Sequence, residues 1–483
     1  MASDSTIEEC RRHVDSLLES RDHSGLRKTS YPSNSLRFLQ HLSSQEIQND
    51  KPLQAKIKLK IIIVGAGLGG LSTAIALQRR GHTVTVFERA PELGEVGAGI
   101  QIPPNSSRLL LKWGLLPFLE GKQNEPAAIR MRRWQDGSVV GLTQLVPDFK
   151  EKFGAPYYVV HRANLQLAMY RMAADLGVEI RTGAGVKTYS DEGSRVVLDN
   201  GRVEEADLVV GADGIKSEAR KVVLGGEDQP PHKAGFAAYR AMVDAEKMRD
   251  DPDVSWLLDS PGQNLWVGDK RHVMTYTIAG GKSFNMVLSH PEDSDPSTWR
   301  QETAVADMKA HFQGWDPQLF KVIKMIEETL KWPLLSGKPL KRWVSSSCNL
   351  LVLGDAAHPM VPYMSEGAAM AVEDGAALAE VLSLITSHNQ LQFALGVFER
   401  VRILRTGQMQ EASLVNGKLW HFADGPEQRA RDVAMKAEVE GRPVIESPNQ
   451  WSDPVTQRWA YGYDAEKEVA DAWKDFVGEG SKL

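Results

Sequence analysis

Cysteine is almost missing from this 483-residue chain, with Cys10 and Cys348 the only two. No disulfide framework can be built from them, and a reducing compartment is the expectation. Long apolar runs are missing too. No stretch approaches the ~20 residues that a membrane-spanning helix needs, so a soluble protein without a membrane span is expected. Positive charge is nowhere concentrated: 57 Lys and Arg against 63 Asp and Glu leave a net charge of −6. That balance, with no sustained basic run, argues against a nucleic-acid partner. The first residues carry Asp4, Glu8 and Glu9 rather than the basic start of a secretory signal. Internal repeats and low-complexity tracts are lacking as well. What the chain does have is 42% hydrophobic residues, enough for a large core in about three interleaved units.

Three short signatures stand in fixed order: Gly65-Ala66-Gly67-Leu68-Gly69-Gly70, then Gly211-Ala212-Asp213-Gly214, then Gly354-Asp355-Ala356-Ala357-His358-Pro359. The first follows the apolar run Lys60-Ile61-Ile62-Ile63-Val64 and opens a helical pattern over 68–80. This is the strand, tight turn and helix of a dinucleotide site. Gly65 supplies the turn, Gly67 lets the backbone approach a pyrophosphate, and Gly70 lets helix and strand pack closely. A second strand, Thr83-Val84-Thr85-Val86-Phe87, ends at Glu88, whose carboxylate can accept ribose hydroxyls. An ADP-containing cofactor is implied.

The other signatures narrow the choice. Asn349-Leu350-Leu351-Val352-Leu353 reads as a buried strand running into Gly354-Asp355, followed by a helical pattern from Gly367 to Leu384. An aspartate at a strand end can hold a polyol hydroxyl, and amides at the next helix N-terminus can stabilise negative charge on a ring. A ribityl chain and a reduced isoalloxazine need those two things. Asp213 arrives likewise in a turn at the end of the strand Asp207-Leu208-Val209-Val210. NAD has no ribityl chain to occupy these stations, which points to FAD.

On these motifs, with Gly97-Ala98-Gly99-Ile100, His161-Arg162 with Leu165, Ala238-Tyr239-Arg240 and Glu373-Asp374-Gly375, the chain resembles the single-component (group A) FAD-dependent aromatic hydroxylases. The likeness, over residues 58–475, is to fungal salicylate-hydroxylase-like monooxygenases. It implies an α/β fold: a Rossmann-like FAD-binding domain of the glutathione-reductase type, interleaved with a β-sheet substrate domain and followed by C-terminal helices. It also implies bound FAD, with NAD(P)H as a transient co-substrate. Reduced flavin would capture dioxygen as a C4a-hydroperoxide and pass one oxygen to a small phenolic or otherwise electron-rich aromatic substrate. Arg89, Gly99, Arg162 and Ala368 join the cofactor residues on this resemblance, and no metal is implied. A same-fold reductase or oxidase, or a catalytically silent FAD-binding protein, stays open.

The expected organisation is a polar extension over 1–56, with amphipathic patterns around 7–18 and 36–47, and a discontinuous FAD-binding domain over 57–225 and 342–400. A substrate-binding sheet over 226–341, a C-terminal helical region over 401–475 and a tail over 476–483 complete it. Strand alternation sets Phe236, Ala238, Arg240 and Met242 on one face, with Tyr239 opposite. Arg240 is a cation among apolar neighbours, so a carboxylate partner or an anionic ligand must accompany it. His272, Met274 and Tyr276 share a face of the strand over 271–278; the resemblance makes Tyr276 a substrate-orienting phenol and His272 reads as structural. His358 reads as a fixer of the loop carrying Pro359 and Pro362. Cys348 reads as a small apolar filler at a strand start.

Departures from the family pattern matter. After Pro362 the chain has Tyr363-Met364-Ser365-Glu366-Gly367, where relatives carry Gly-Gln-Gly or a histidine. Glu366 adds a charge near the ring, the lost glycine alters the loop's allowed backbone angles, and the missing histidine counts against salicylate itself. The last residues, Ser481-Lys482-Leu483, follow Gly478-Glu479-Gly480, which reads as a flexible linker, and form the address of the peroxisomal import receptor. A peroxisomal protein, monomer or homodimer, is expected.

Overall fold

The computed structural model describes residues 52–94, 98–190, 194–259 and 262–480. The amphipathic patterns around 7–18 and 36–47, Gly97, and Ser481, Lys482 and Leu483 lie outside them.

Among the described residues, five parallel strands form the central sheet in the order Leu350–Val352, Leu208–Gly211, Lys60–Val64, Thr83–Phe87, Glu179–Arg181. Ile61, Ile62 and Ile63 are all buried, so the middle strand is covered on both faces. That explains its unbroken apolar run, where a one-sided strand would alternate. Helix Leu68–Arg79 packs on helix Gly367–Leu384 at Gly375. Both helix spans match the sequence reading to within a residue.

A seven-stranded sheet stands beside this unit, in the order Leu330–Ser336, His232–Asp244, Ser283–Pro291, Arg271–Ile278, Gln263–Gly268, Ala128–Arg133, Val139–Gln144. Period-2 alternation sends successive side chains to opposite faces. Ala238, Leu265, Met274 and Tyr276 pack with Val361, Tyr363 and Met364 from the loop that leads into helix Gly367–Leu384, and with Met370 in its first turn. Tyr239, Trp266, Val273 and Leu288 face the other way, onto helices Ala304–His311 and Pro317–Lys324. The second sheet therefore roofs the loop of the third signature.

The expected boundaries need correction. Ala128–Arg133 and Val139–Gln144 fall inside 57–225, yet they complete the substrate sheet, because Gln263–Gly268 pairs in parallel with Ala128–Arg133. The boundary at 400/401 cuts a continuous helix, Leu391–Trp420. The linker read as flexible before the tail is helical: Ala465–Gly480 runs through it. Cys348 is half-buried in a turn with φ of +58° ahead of the strand, so it shapes a turn as well as filling space.

A Cβ at Gly375 would lie 2.8 Å from the Thr73 Cα and 2.9 Å from its backbone nitrogen. Gly375→Ala is expected to lower stability by ~1–3 kcal/mol, against the ~0.5–1 kcal/mol that alanine normally gains inside a helix. Urea denaturation reads the sign directly.

Candidate functional site

The three signatures meet at the C-terminal ends of three adjacent parallel strands. Gly65 donates to the Phe87 carbonyl at 2.8 Å, Ala212 to the Val64 carbonyl at 2.9 Å, and Leu353 to the Gly211 carbonyl at 3.2 Å. Gly65 has φ of +106°, and a Cβ there would lie 2.3 Å from the Ala212 carbonyl oxygen. A Cβ at Gly70 would lie 1.9 Å from the Gly65 oxygen, while one at Gly67 would meet nothing within 4 Å. One glycine bends the chain, one is pressed against it, and one leaves open approach beside a helix whose N-cap carries no side-chain hydrogen bond. This is a seat for a pyrophosphate.

The Glu88 carboxylate accepts from the Ala66 amide and the Ala90 amide, each at 2.8 Å, which aims it at the mouth of the glycine turn. Arg89 is exposed, and its guanidinium donates to the Val186 carbonyl at 3.4 Å. Asp213 accepts from Tyr189 Oη and the Glu218 amide at 2.9 Å and from the Ala219 amide at 3.1 Å, all on Oδ2. Its Oδ1 is buried without a hydrogen-bond partner. Asp355 is exposed at a strand end, and Gly367 and Ala368 open a helix that also lacks a side-chain cap. Arg162 begins helix Arg162–Asp175, its amide donating to the Ala98 carbonyl at 3.1 Å. An open glycine cradle, two uncapped helix starts and an orphaned aspartate oxygen fit FAD.

The roof supplies the second half. Tyr276 pairs with Asn285 across the sheet, and Asn285 Oδ1 accepts from the Gly99 amide at 2.7 Å. A Cβ at Gly99 would come within 2.3 Å of the Tyr276 ring, so only glycine lets the chain pass under the phenol. Arg240, Val287 and Met274 form the adjacent row. Burial raises the Tyr276 pKa and the Arg240 cation opposes the rise; the group is a neutral phenol. The sheet thus brings Arg240, Tyr276 and Gly99 together, while Tyr239 lies on the far face. His272 Nδ1 meets His421 Nε2 at 2.8 Å. Burial depresses both histidines, His421 to about 3, in keeping with a structural role.

Beneath the loop lies a buried ion cluster. Arg402 donates to Glu373 at 2.8 Å and Asp374 at 2.7 Å, and Arg405 to Glu373 at 3.0 Å. Asp374 Oδ2 meets His358 Nε2 at 2.6 Å and accepts from the Gly354 amide at 3.0 Å. His358 therefore pins the loop, as read from sequence. Burial alone would push the Glu373 and Asp374 pKa values up; Arg405 and Arg402 for the first, and His358 and Arg402 for the second, outweigh it and hold both below the usual range.

Sequence reasoning missed four contributors. Gln166 Nε2 donates to the Ala66 carbonyl at 2.9 Å, locking the glycine turn. Asn105 Nδ2 donates to Glu366 at 2.9 Å and Glu373 at 2.7 Å. Arg402 and Arg405 carried the one available signal, two arginines three residues apart on a helix face otherwise turned to the core.

The family described as FAD binding domain matches residues 58–394. The FAD-dependent monooxygenase OpS4 of Beauveria bassiana is 36% identical over 409 residues, 84% of this chain and 95% of that protein. The 3-hydroxybenzoate 6-hydroxylase of Polaromonas naphthalenivorans is 33% identical over 411 residues, covering 84% and 96%. Among solved structures, CtdE in complex with FAD and a substrate superposes with a TM-score of 0.73 at 26% identity, covering 88% of this chain and 100% of that one.

Removing one member of the ion cluster leaves buried charge uncompensated. Arg402→Ala is expected to lower unfolding stability by ~3–5 kcal/mol, measured by chemical denaturation of the apoprotein.

Proposed function

The chain belongs to the FAD-binding-domain family and is an FAD-dependent monooxygenase of the aromatic hydroxylase type, and from that premise we propose that it uses NAD(P)H and dioxygen to hydroxylate a phenolic or similarly electron-rich ring. The observation that carries this reading is the shared face of Arg240 and Tyr276, closed over the loop of the third signature. Bound FAD supplies the redox chemistry and the activation of dioxygen.

The chain's own residues do the rest. Glu88, Asp213 and Asp355 would hold hydroxyl groups of the cofactor along the strand ends, and the open turn at Gly67 its phosphates. The helix start at Gly367 and Ala368 favours negative charge on the ring. The packed roof of Met274, Leu265, Tyr363 and Met364 keeps water from the reacting atoms. Arg240 stabilises substrate phenolate or carboxylate electrostatically. Tyr276, kept protonated, donates a hydrogen bond that orients the ring. NAD(P)H docks transiently. A hydroxylated aromatic acid, of the kind named in the Polaromonas relative, suits the Arg240 cation beside the Tyr276 phenol.

Arg240→Ala is expected to retain FAD but lower hydroxylation by ~10²-fold, uncoupling NAD(P)H oxidation from product formation. The product-to-NAD(P)H ratio measures it, and an unchanged ratio sinks the assignment. We also propose that Ser481-Lys482-Leu483 directs the protein to the peroxisome. A fluorescent fusion carrying the intact C-terminus is expected to be punctate and the same fusion lacking these three residues diffuse.

A further inference from the structure

Glu366 departs from the family pattern, and the structure gives it an environment that no ionised carboxylate suits. It is 1% exposed and sits immediately before helix Gly367–Leu384, one residue from the amides assigned to the flavin ring. Its Oε2 accepts from Asn105 Nδ2 at 2.9 Å, and its Oε1 has no partner. The same Asn105 nitrogen donates to Glu373 at 2.7 Å, so one neutral amide bridges two carboxyl groups.

The charges around it decide which carboxyl carries the proton. Glu373 has Arg402 and Arg405, and Asp374 has Arg402 and His358. The two arginines already balance the two anions, and Glu366 makes no ion pair with either. Arg405 attracts it from the long helix, whereas Glu373 repels it from its own helix. Tyr157 and Tyr461, contributed by two further elements, are buried phenols whose ionisation its charge would oppose. Burial is the largest influence on Glu366 and lifts its pKa to about 8.

We propose that Glu366 is a positioning residue carried as the neutral acid, whose proton removes the repulsion between the two carboxyl groups that Asn105 ties to helix Pro104–Trp113 and keeps the start of the flavin-facing helix electropositive; loss of the proton loosens FAD. The inference rests on the FAD site of the proposed function. Because the folded pKa lies above the unfolded value, the proton's contribution to stability is full below about pH 4.5 and declines as pH rises to about 8, while the folded protein itself keeps the proton until pH passes about 8.

The test is FAD affinity of the full-length protein by flavin fluorescence from pH 6.5 to 9.5, with circular dichroism at each pH. A single ionisation near pH 8 is expected to raise the wild-type Kd about tenfold between pH 7 and 9, with secondary structure unchanged. Glu366→Gln, neutral at every pH and able to keep the bond to Asn105, is expected to hold its Kd within about twofold over the same range. A flat wild-type profile, an equal rise in the variant, or a rise that tracks unfolding would overturn the proposal. Should the variant not fold, the protonated-carboxyl infrared band of the wild type takes its place. Loss of the band with a midpoint near pH 8 supports the proposal, and its absence at pH 6.5 overturns it. Failure to take up FAD at pH 6.5 sinks the functional reading, whereas uptake with a flat profile sinks this inference alone.

Discussion

The arrangement depends on opposite charges buried together where the long C-terminal helix crosses helix Gly367–Leu384. Arg402, Glu373 and Asp374 are all 0% exposed, and each carboxylate also reaches outward: Asp374 to the Gly354 amide and His358, Glu373 to Asn105. Desolvation consumes much of the Coulombic gain in such a cluster. Its structural consequence is positional. The loop of the third signature, the start of the flavin-facing helix and helix Pro104–Trp113 are all referred to one set of charges, so the cofactor seat cannot shift piecemeal.

The same economy of charge governs the roof. His272 and His421 are held neutral by burial and share a hydrogen bond, and Tyr276 is held as a phenol. On that face the positive charge is placed at Arg240, beside the phenol, rather than at the histidine pair.

Features encoded locally were legible in the sequence. The separate roles of Gly65, Gly67 and Gly70 follow from backbone angle and close approach, and the structure shows one bent, one open and one compressed glycine. Alternation sorted Ala238 from Tyr239 and put Met274 with Tyr276. Features that depend on distant pairing were not legible. Ala128–Arg133 joins a strand some 130 residues later, and no local pattern announces that partner. Asn105 and Gln166 are single polar residues in otherwise ordinary helices, with no period to betray them. Cys348 was read as filler because a left-handed turn residue other than glycine has no composition signature.

The order of segments along the chain has a consequence for safety during synthesis. The substrate sheet draws its last strand from Leu330–Ser336, whereas the flavin seat needs Leu350–Val352 and helix Gly367–Leu384. Every strand of the cover is therefore synthesised before the last pieces of the cofactor seat. An unroofed flavin wastes reducing power as peroxide, and a chain built in this order has the strands of its cover in hand before its seat is complete.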